Sequence, residues 1–132
     1  MSDDGAIIDR MFDALSRGDV ARALDSLAGD ARVWHCFDGI PHDKAAMQRQ
    51  WQALVDDFPE RAFVDVRRQS IPTGFVQQFV MAVTTATGAR MAWPICSLIR
   101  IDNGLIGRID EYIDRAGAFA PPRQGLVVAP GL

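Results

Sequence analysis

The chain has 132 residues, of which 48% are hydrophobic and 23% are charged, close to the averages for soluble globular proteins. This length predicts a single domain over residues 1–132 that buries about two-thirds of the surface of its unfolded chain. The formal net charge is −3, and Arg67-Arg68 is the only adjacent basic pair. Because a nucleic-acid surface needs clustered positive charge, we expect no nucleic-acid partner.

The sequence also argues against a membrane protein and a metalloprotein. No apolar run approaches the roughly 18 to 20 residues that span a bilayer, and the acidic segment 1–4 is unlike a secretion signal. We therefore expect a cytoplasmic protein without a membrane partner. Cys36 and Cys96 are solitary, which predicts reduced thiols. His35 and His42 have no third ligand at a zinc spacing and no nucleotide-binding loop is found, so we expect neither a metal nor a cofactor.

Two short amphipathic helices are predicted at the start of the chain. Apolar residues recur at helical spacing between residues 7 and 15. Gly18 follows them, at a point where a helix end favours a glycine in the left-handed conformation. Asp19 is placed to cap a second helix, whose apolar side chains between Val20 and Leu27 share one face.

A strand and a third helix come next. The alternating residues 31–37 predict a strand that the turn at Asp38-Gly39 closes. Asp43 is predicted to cap a helix with an apolar inner face, which ends before Pro59.

The rest of the chain alternates with period two, which predicts an antiparallel meander of strands over residues 61–71, 75–86, 89–101 and 105–114. Because helical and strand segments do not alternate along the chain, the expected fold class is α+β. In this arrangement three N-terminal helices cover the concave face of an antiparallel sheet. The tail is rich in proline, glycine and alanine, and we expect it to pack over a pocket mouth or a partner subunit, or to be loose.

His35 is the main candidate for acid–base chemistry. Strand alternation places it on the face of Val33 and Phe37, opposite Trp34. Histidine side chains titrate near neutrality, so a buried imidazole suits a general base. The alternative is a core histidine whose ring nitrogens are satisfied by the backbone or by Asp38.

Glu111 is the candidate partner of that base. Alternation places it on one face with Ile109 and Ile113, where a desolvated carboxyl group could act as a general acid. The alternative is an ion pair with an arginine on a solvated face. Cys96 is interpreted as a small buried hydrophobic residue, since nothing near it in the sequence favours a nucleophilic thiolate.

The aromatic residues of the chain supply candidates for a pocket wall. Trp51, Trp93 and Phe37 are predicted to bind the substrate. The alternative for each of them is plain core packing.

Three segments carry a resemblance to a known family: FDALSRGD at residues 12–19, DARVWH at 30–35 and DNGLIGRIDEYID at 102–114. They resemble the NTF2-like superfamily, which includes ketosteroid isomerases, limonene-epoxide hydrolases, scytalone dehydratase and SnoaL-like polyketide cyclases. The resemblance covers about residues 6–119 and leaves a tail over 120–132. It implies a cone in which a strongly curved sheet wraps around a long helix and an apolar cavity, and a homodimer formed through the sheet.

Position by position, the resemblance places His35 where ketosteroid isomerases keep a general-base aspartate. It also turns Gln78, Cys96 and Glu111 into the cavity, while the oxyanion tyrosine of the isomerases falls on Met11 and is not kept. We therefore predict a cofactor-independent acid–base enzyme, either an isomerase, a dehydratase or a cyclase, that acts on a small, mostly apolar, oxygenated molecule. His35 is the predicted base, Glu111 the acid or the orienting group, and Gln78 a polar anchor. The alternative is a non-catalytic ligand-binding or dimerisation module on the same scaffold.

Overall fold

Helices and strands segregate along the chain as the α+β pattern requires. The computed structural model describes residues 5–115. Its elements in chain order are α1 Ala6–Ser16, α2 Val20–Leu24, β1 Leu27–His35, β2 Pro41–His42, α3 Lys44–Asp57, β3 Glu60–Ile71, β4 Gly74–Thr84, β5 Arg90–Asp102 and β6 Leu105–Ile113. The predicted helices and the long strands of the second half are therefore confirmed.

The strands form one curved, open, six-stranded sheet in the order β2-β1-β6-β5-β4-β3. Strands β3 to β6 form the predicted antiparallel meander. The sheet is mixed rather than purely antiparallel as expected, because β1 pairs in parallel with β6. The intervening chain from β2 to β5 supplies the long crossover that a parallel pair needs.

Breaks in strand register bend the sheet. One lies in β1 between Leu27 and Arg32, and another in β3 between Val64 and Arg67. In the second, Asp65 has a positive φ of 54°. Such bulges increase the local twist and bend a strand, so they help the sheet to curve.

Both helix caps that the sequence predicts are present. The Asp19 carboxylate accepts a hydrogen bond of 3.1 Å from the Arg22 backbone N–H, and the Asp43 carboxylate accepts one of 2.9 Å from Ala46. These bonds satisfy N–H groups that have no partner within the helix. The chain leaves α1 through Gly18, whose φ of +79° favours glycine.

Two boundaries of β1 differ from the prediction. Leu27 was expected on the apolar face of α2, but it is buried as the first residue of β1, because pairing with β6 begins there. At the other end β1 stops at His35 instead of residue 37. Phe37 therefore lies in the turn before β2.

The core lies between the concave face of the sheet and the helices. One buried cluster joins α1, through Ile8 and Met11, to Ile109 of β6. A second cluster, which includes Phe79 of β4 and Trp93 of β5, lies further along the sheet. The cavity described below is lined by members of both clusters.

The predicted end of the core at residue 119 and the tail 120–132 lie outside the described residues. No helix within residues 5–115 is long and apolar enough to cross a membrane.

Candidate active site

His35 and Glu111 are direct neighbours on the concave face of the sheet. The register of β1 and β6 places them opposite each other. The Cys36 backbone N–H continues this pairing by donating a hydrogen bond of 3.0 Å to the Glu111 carbonyl oxygen. His35 Nε2 lies 3.5 Å from Glu111 Oε1, and both side chains are largely buried. That distance is an ion-pair separation rather than a hydrogen bond.

The carboxylate of Glu111 is held from a second strand as well. Ser97 on β5 is opposite Glu111 in register, and its hydroxyl donates a hydrogen bond of 3.1 Å to Oε2. Ser97 is fully buried. Each carboxylate oxygen of Glu111 therefore faces one polar partner, Ser97 at Oε2 and His35 at Oε1.

An apolar cavity of about 270 Å³ lies next to this pair, bordered by the sheet, α1 and α3. His35 and Glu111 line it. Trp51 and Trp93, which were predicted to bind the substrate, are buried in its wall, and Phe37 borders it while remaining half exposed. A cavity of about 150 Å³ is enough to take up benzene. This one therefore has room for a small molecule of one or two rings.

Gln78 and Cys96 were predicted to enter the cavity, and the structure corrects this. They are cross-strand partners on the convex face of the sheet, and neither lines the cavity. Their neighbours Gln77 and Ser97 point inward and are buried. The physical reason is strand parity, because the buried Trp93 fixes which face of β5 is inside and only residues an even number of positions away share that face.

The buried Gln77 does not replace Gln78 in the cavity. Its Oε1 accepts a hydrogen bond of 2.9 Å from Arg68 Nε, and Arg68 also pairs with Asp9 of α1. These contacts tie β3 and β4 to the first helix, and we assign Gln77 a structural role.

The turn after β1 brings Phe37 against His35, with ring centroids 4.9 Å apart and planes at 20°. Asp38 shapes this turn, because its Oδ1 accepts a hydrogen bond of 3.0 Å from the Ile40 backbone N–H. Its Oδ2 lies 2.7 Å from His42 Nε2. The hydrogen bond with His42, followed by that from Ile40, holds the pKa of Asp38 below its ordinary value of 3.8.

One ring nitrogen of His35 is left unpaired. Nδ1 is buried and has no hydrogen-bond partner among residues 5–115. A buried N–H without a partner is rarer than a buried unpaired acceptor, so we assign the proton of the neutral ring to Nε2, beside Glu111. Nδ1 then carries a free lone pair. Within residues 5–115 neither the backbone nor Asp38 satisfies this nitrogen, and Ser26 Oγ and Trp93 Nε1 are likewise buried without a partner there.

Ser97 and Arg115 are among the residues at the site that the sequence analysis did not predict, as are Gln50 and Asp57 of α3, which line the cavity. Ser97 could have been found from parity, because Trp93 was predicted to face the pocket and Ser97 is four residues later on the same strand. Arg115 follows the last strand, where no periodic pattern indicates a direction. Its guanidinium lies 4.9 Å from the Trp93 ring centroid and 5.1 Å from that of Phe37.

The polar side chains that line the cavity define what chemistry it can support. They are His35, Glu111, Gln50, Asp57 and Arg115. Within residues 5–115 no three His, Cys, Asp or Glu side chains are grouped so that they could hold a metal ion. A proton acceptor beside a carboxylate, both facing an apolar cavity, is suited to proton transfer on a bound organic molecule.

The curved sheet, the helices on its concave face and the cavity between them define an NTF2-like fold. A family profile described as the SnoaL-like domain matches residues 8–109, and the chain belongs to this family. A search of curated protein sequences gave no match.

Solved structures share the fold at low sequence identity. One is a proposed polyketide cyclase from Xanthomonas campestris, with a TM-score of 0.73 and 19% identity over 83% of this chain and 88% of that one. IdmH, a proposed polyketide cyclase from Streptomyces antibioticus, has a TM-score of 0.74 and 18% identity over 89% and 96% of the two chains. An NTF2-like protein of unknown function from Burkholderia pseudomallei has a TM-score of 0.71 and 18% identity over 86% and 92%. At this identity the likeness concerns the fold alone.

Proposed function

We propose that this protein is a cofactor-independent acid–base enzyme, either an isomerase, a dehydratase or a cyclase, that acts on a small, mainly apolar, oxygenated molecule. The observation that carries this proposal is the His35–Glu111 pair, separated by 3.5 Å in the wall of an apolar cavity. Membership of the SnoaL-like family and the description of two fold neighbours as proposed polyketide cyclases agree with small-molecule chemistry of this kind.

His35 is the proposed base. A ring nitrogen of His35 takes a proton from a carbon beside a carbonyl group, the C–H electron pair becomes a C=C bond, and the carbonyl π electrons move to oxygen to give an enolate. Where a C=C bond is conjugated with the enolate, return of the proton from the imidazolium to the far carbon completes an isomerisation. In a dehydration, the enolate expels the hydroxyl group of the adjacent carbon, which takes the imidazolium proton and leaves as water. In a cyclisation, the enolate carbon attacks a second carbonyl carbon, and the alkoxide that forms takes the proton from the imidazolium.

Glu111 is proposed to orient His35 rather than to act as the acid. Both of its oxygens face hydrogen-bonding groups, Ser97 at Oε2 and His35 at Oε1, which is the arrangement of an ionised acceptor. After proton transfer the carboxylate lies beside the imidazolium and stabilises it. One well-placed acid–base group contributes about 10²- to 10⁴-fold to a rate, so this pair is sufficient for a modest enzyme.

Proton exchange tests the proposal without knowledge of the natural substrate. The probe is 2-tetralone, a bicyclic ketone with acidic C–H groups, dissolved in D₂O and followed by proton NMR. We expect the protein to accelerate deuterium incorporation beside the carbonyl over buffer. His35→Asn should reduce the catalysed rate by about 10²-fold or more, because it removes the base. Arg10→Gln, on the exposed face of α1, is the control and should retain the rate.

A non-catalytic ligand-binding module is the competing hypothesis. It predicts that 2-tetralone binds, as a shift of tryptophan fluorescence would report, while the exchange rate in the presence of protein equals that in buffer. Equal catalysed rates for the wild type and His35→Asn would also contradict the proposal, since exchange would then arise elsewhere on the protein.

A further inference from the structure

Arg115 places a cation at the edge of the apolar cavity. It lines the cavity together with Trp93 and Phe37, and its guanidinium lies about 5 Å from both ring centroids. A cation within roughly 6 Å of a ring centroid is attracted to the ring face. The two aromatic side chains therefore hold the guanidinium beside the cavity.

This guanidinium has no carboxylate partner within residues 5–115. Five other arginines in that range do pair with an aspartate, namely Arg17, Arg67, Arg68, Arg100 and Arg108. Aromatic ring faces attract the charge but accept few of the five N–H donors of a guanidinium. Arg115 thus retains donors with the planar geometry that matches a carboxylate.

The charges around the cavity give a bound anion one favourable orientation. Arg115 is exposed, whereas Glu111 is largely buried beside His35. Asp57 is an exposed carboxylate that also lines the cavity. A carboxylate on the ligand would be repelled by Glu111 and Asp57 and attracted by Arg115. The apolar part of the same ligand then lies along Trp93 and extends toward His35.

We propose that Arg115 is the anion-binding residue of this cavity and that the substrate is an apolar carboxylic acid of one or two rings. The carboxylate binds Arg115 at the cavity edge, and the reacting carbon lies toward His35. This inference rests on the proposed function in one respect, since it takes the same cavity as the substrate site. It makes a claim about binding that can be tested apart from catalysis.

The test compares two probes of the same shape, 2-naphthoate and the uncharged 2-naphthamide, by isothermal titration calorimetry. We expect the wild type to bind 2-naphthoate at least about tenfold more tightly than 2-naphthamide, as a charge-assisted hydrogen bond provides. Arg115→Gln should remove this preference and leave 2-naphthamide binding unchanged. Arg115→Lys, which keeps the charge without the planar fork, should retain part of it.

Arg10→Gln is the matched control, because it removes the same charge from an exposed helix position that lines no described cavity. It should leave both affinities unchanged. Added sodium chloride should weaken 2-naphthoate binding and leave 2-naphthamide binding unaffected, since salt screens only the charged contact.

Three outcomes would overturn the inference: equal affinity of the wild type for the two probes, absence of binding of both, or an undiminished preference in Arg115→Gln. If His35→Asn lost the preference for 2-naphthoate and Arg115→Gln kept it, the carboxylate of the probe would bind at His35 instead of Arg115. Each of these results is independent of the 2-tetralone exchange rate. Failure of the anion site and failure of the proposed catalysis are therefore distinguishable.

Discussion

The Ser97 hydroxyl donates a hydrogen bond of 3.1 Å to Glu111 Oε2 across the β5–β6 pair, and this leaves Oε1 directed at His35 Nε2. Ser97 is fully buried and does not line the cavity. It can therefore act on a bound ligand only through Glu111 and His35. We assign it as a positioning residue.

Ser97→Ala is expected to reduce kcat for 2-tetralone exchange by about tenfold, the effect of losing one hydrogen bond to a charged group. KM should be unchanged, because Ser97 makes no contact with the cavity. Ser97→Thr, which keeps the hydroxyl, should recover part of the rate. Steady-state exchange rates measured by NMR over a range of 2-tetralone concentrations give kcat and KM separately and so check this prediction. A raised KM with an unchanged kcat would contradict the positioning role.

The pairing of Asp38 with His42 makes a second, pH-dependent prediction. The pKa of Asp38 is held below 3.8, chiefly by its hydrogen bond with His42, so the folded state favours the ionised carboxylate. This stabilisation is fully present above the unfolded-state pKa and is lost as the pH falls through the lower folded-state value. The free energy of unfolding of the wild type should therefore exceed that of Asp38→Asn near neutrality. The difference should shrink as the pH falls below 3.8.

Urea denaturation of both proteins from neutral pH to about pH 3 measures this difference. The amide oxygen of an asparagine can accept the hydrogen bond that Asp38 accepts from Ile40, so we expect the turn to be kept and the comparison to isolate the charge. A difference that stays constant over the whole range would show that the carboxylate is not the titrating group.

Residue patterns predicted much of the fold because several of its signals are local. Asp19 and Asp43 cap helices in the structure as they do in the sequence pattern, since an N-cap needs only the next two or three residues. The parallel pairing of β1 with β6 was not predicted, because it joins residues more than 70 positions apart, such as His35 and Glu111.

Part of the candidate site was also predicted, because the direction of a strand side chain is a local signal. His35 and Glu111 lie on inward faces because alternation with neighbouring apolar residues fixes their direction. Gln78 and Cys96 were assigned to the cavity from the family resemblance. An error of one residue in matching two strands places the assigned side chain on the opposite face of the sheet. Strand parity from Trp93, applied without the resemblance, would have selected Ser97 instead of Cys96.

The third prediction is that the protein forms a homodimer through the convex face of the sheet. Leu98 and Tyr112 are 41% and 51% exposed on this face, and Tyr112 packs edge-on against Trp34 with ring centroids 5.2 Å apart. An exposed apolar face of this kind suits a protein interface. We expect a dimer at micromolar concentration in sedimentation velocity, and we expect Leu98→Arg to shift it toward monomer.

Leu105→Arg is the control for this experiment, because Leu105 is a leucine of similar exposure next to the β5–β6 turn. It should leave the dimer intact. A monomeric wild type at the same concentration would count against the interface, since a stable homodimer persists there.

The last prediction separates a catalytic His35 from a structural one. Its buried Nδ1 has no hydrogen-bond partner within residues 5–115, and its ring stacks on Phe37, so a phenyl ring of similar shape should fit the same place. Replacing His35 alone would leave the buried Glu111 carboxylate without its partner. Both proteins that are compared therefore carry Glu111→Gln. Adding His35→Phe to this parent should leave the free energy of unfolding unchanged or raise it by about 1 kcal/mol, because an unsatisfied buried group is removed. Urea denaturation measures the change, and a loss of about 2 kcal/mol or more would mean that the imidazole is a satisfied part of the core.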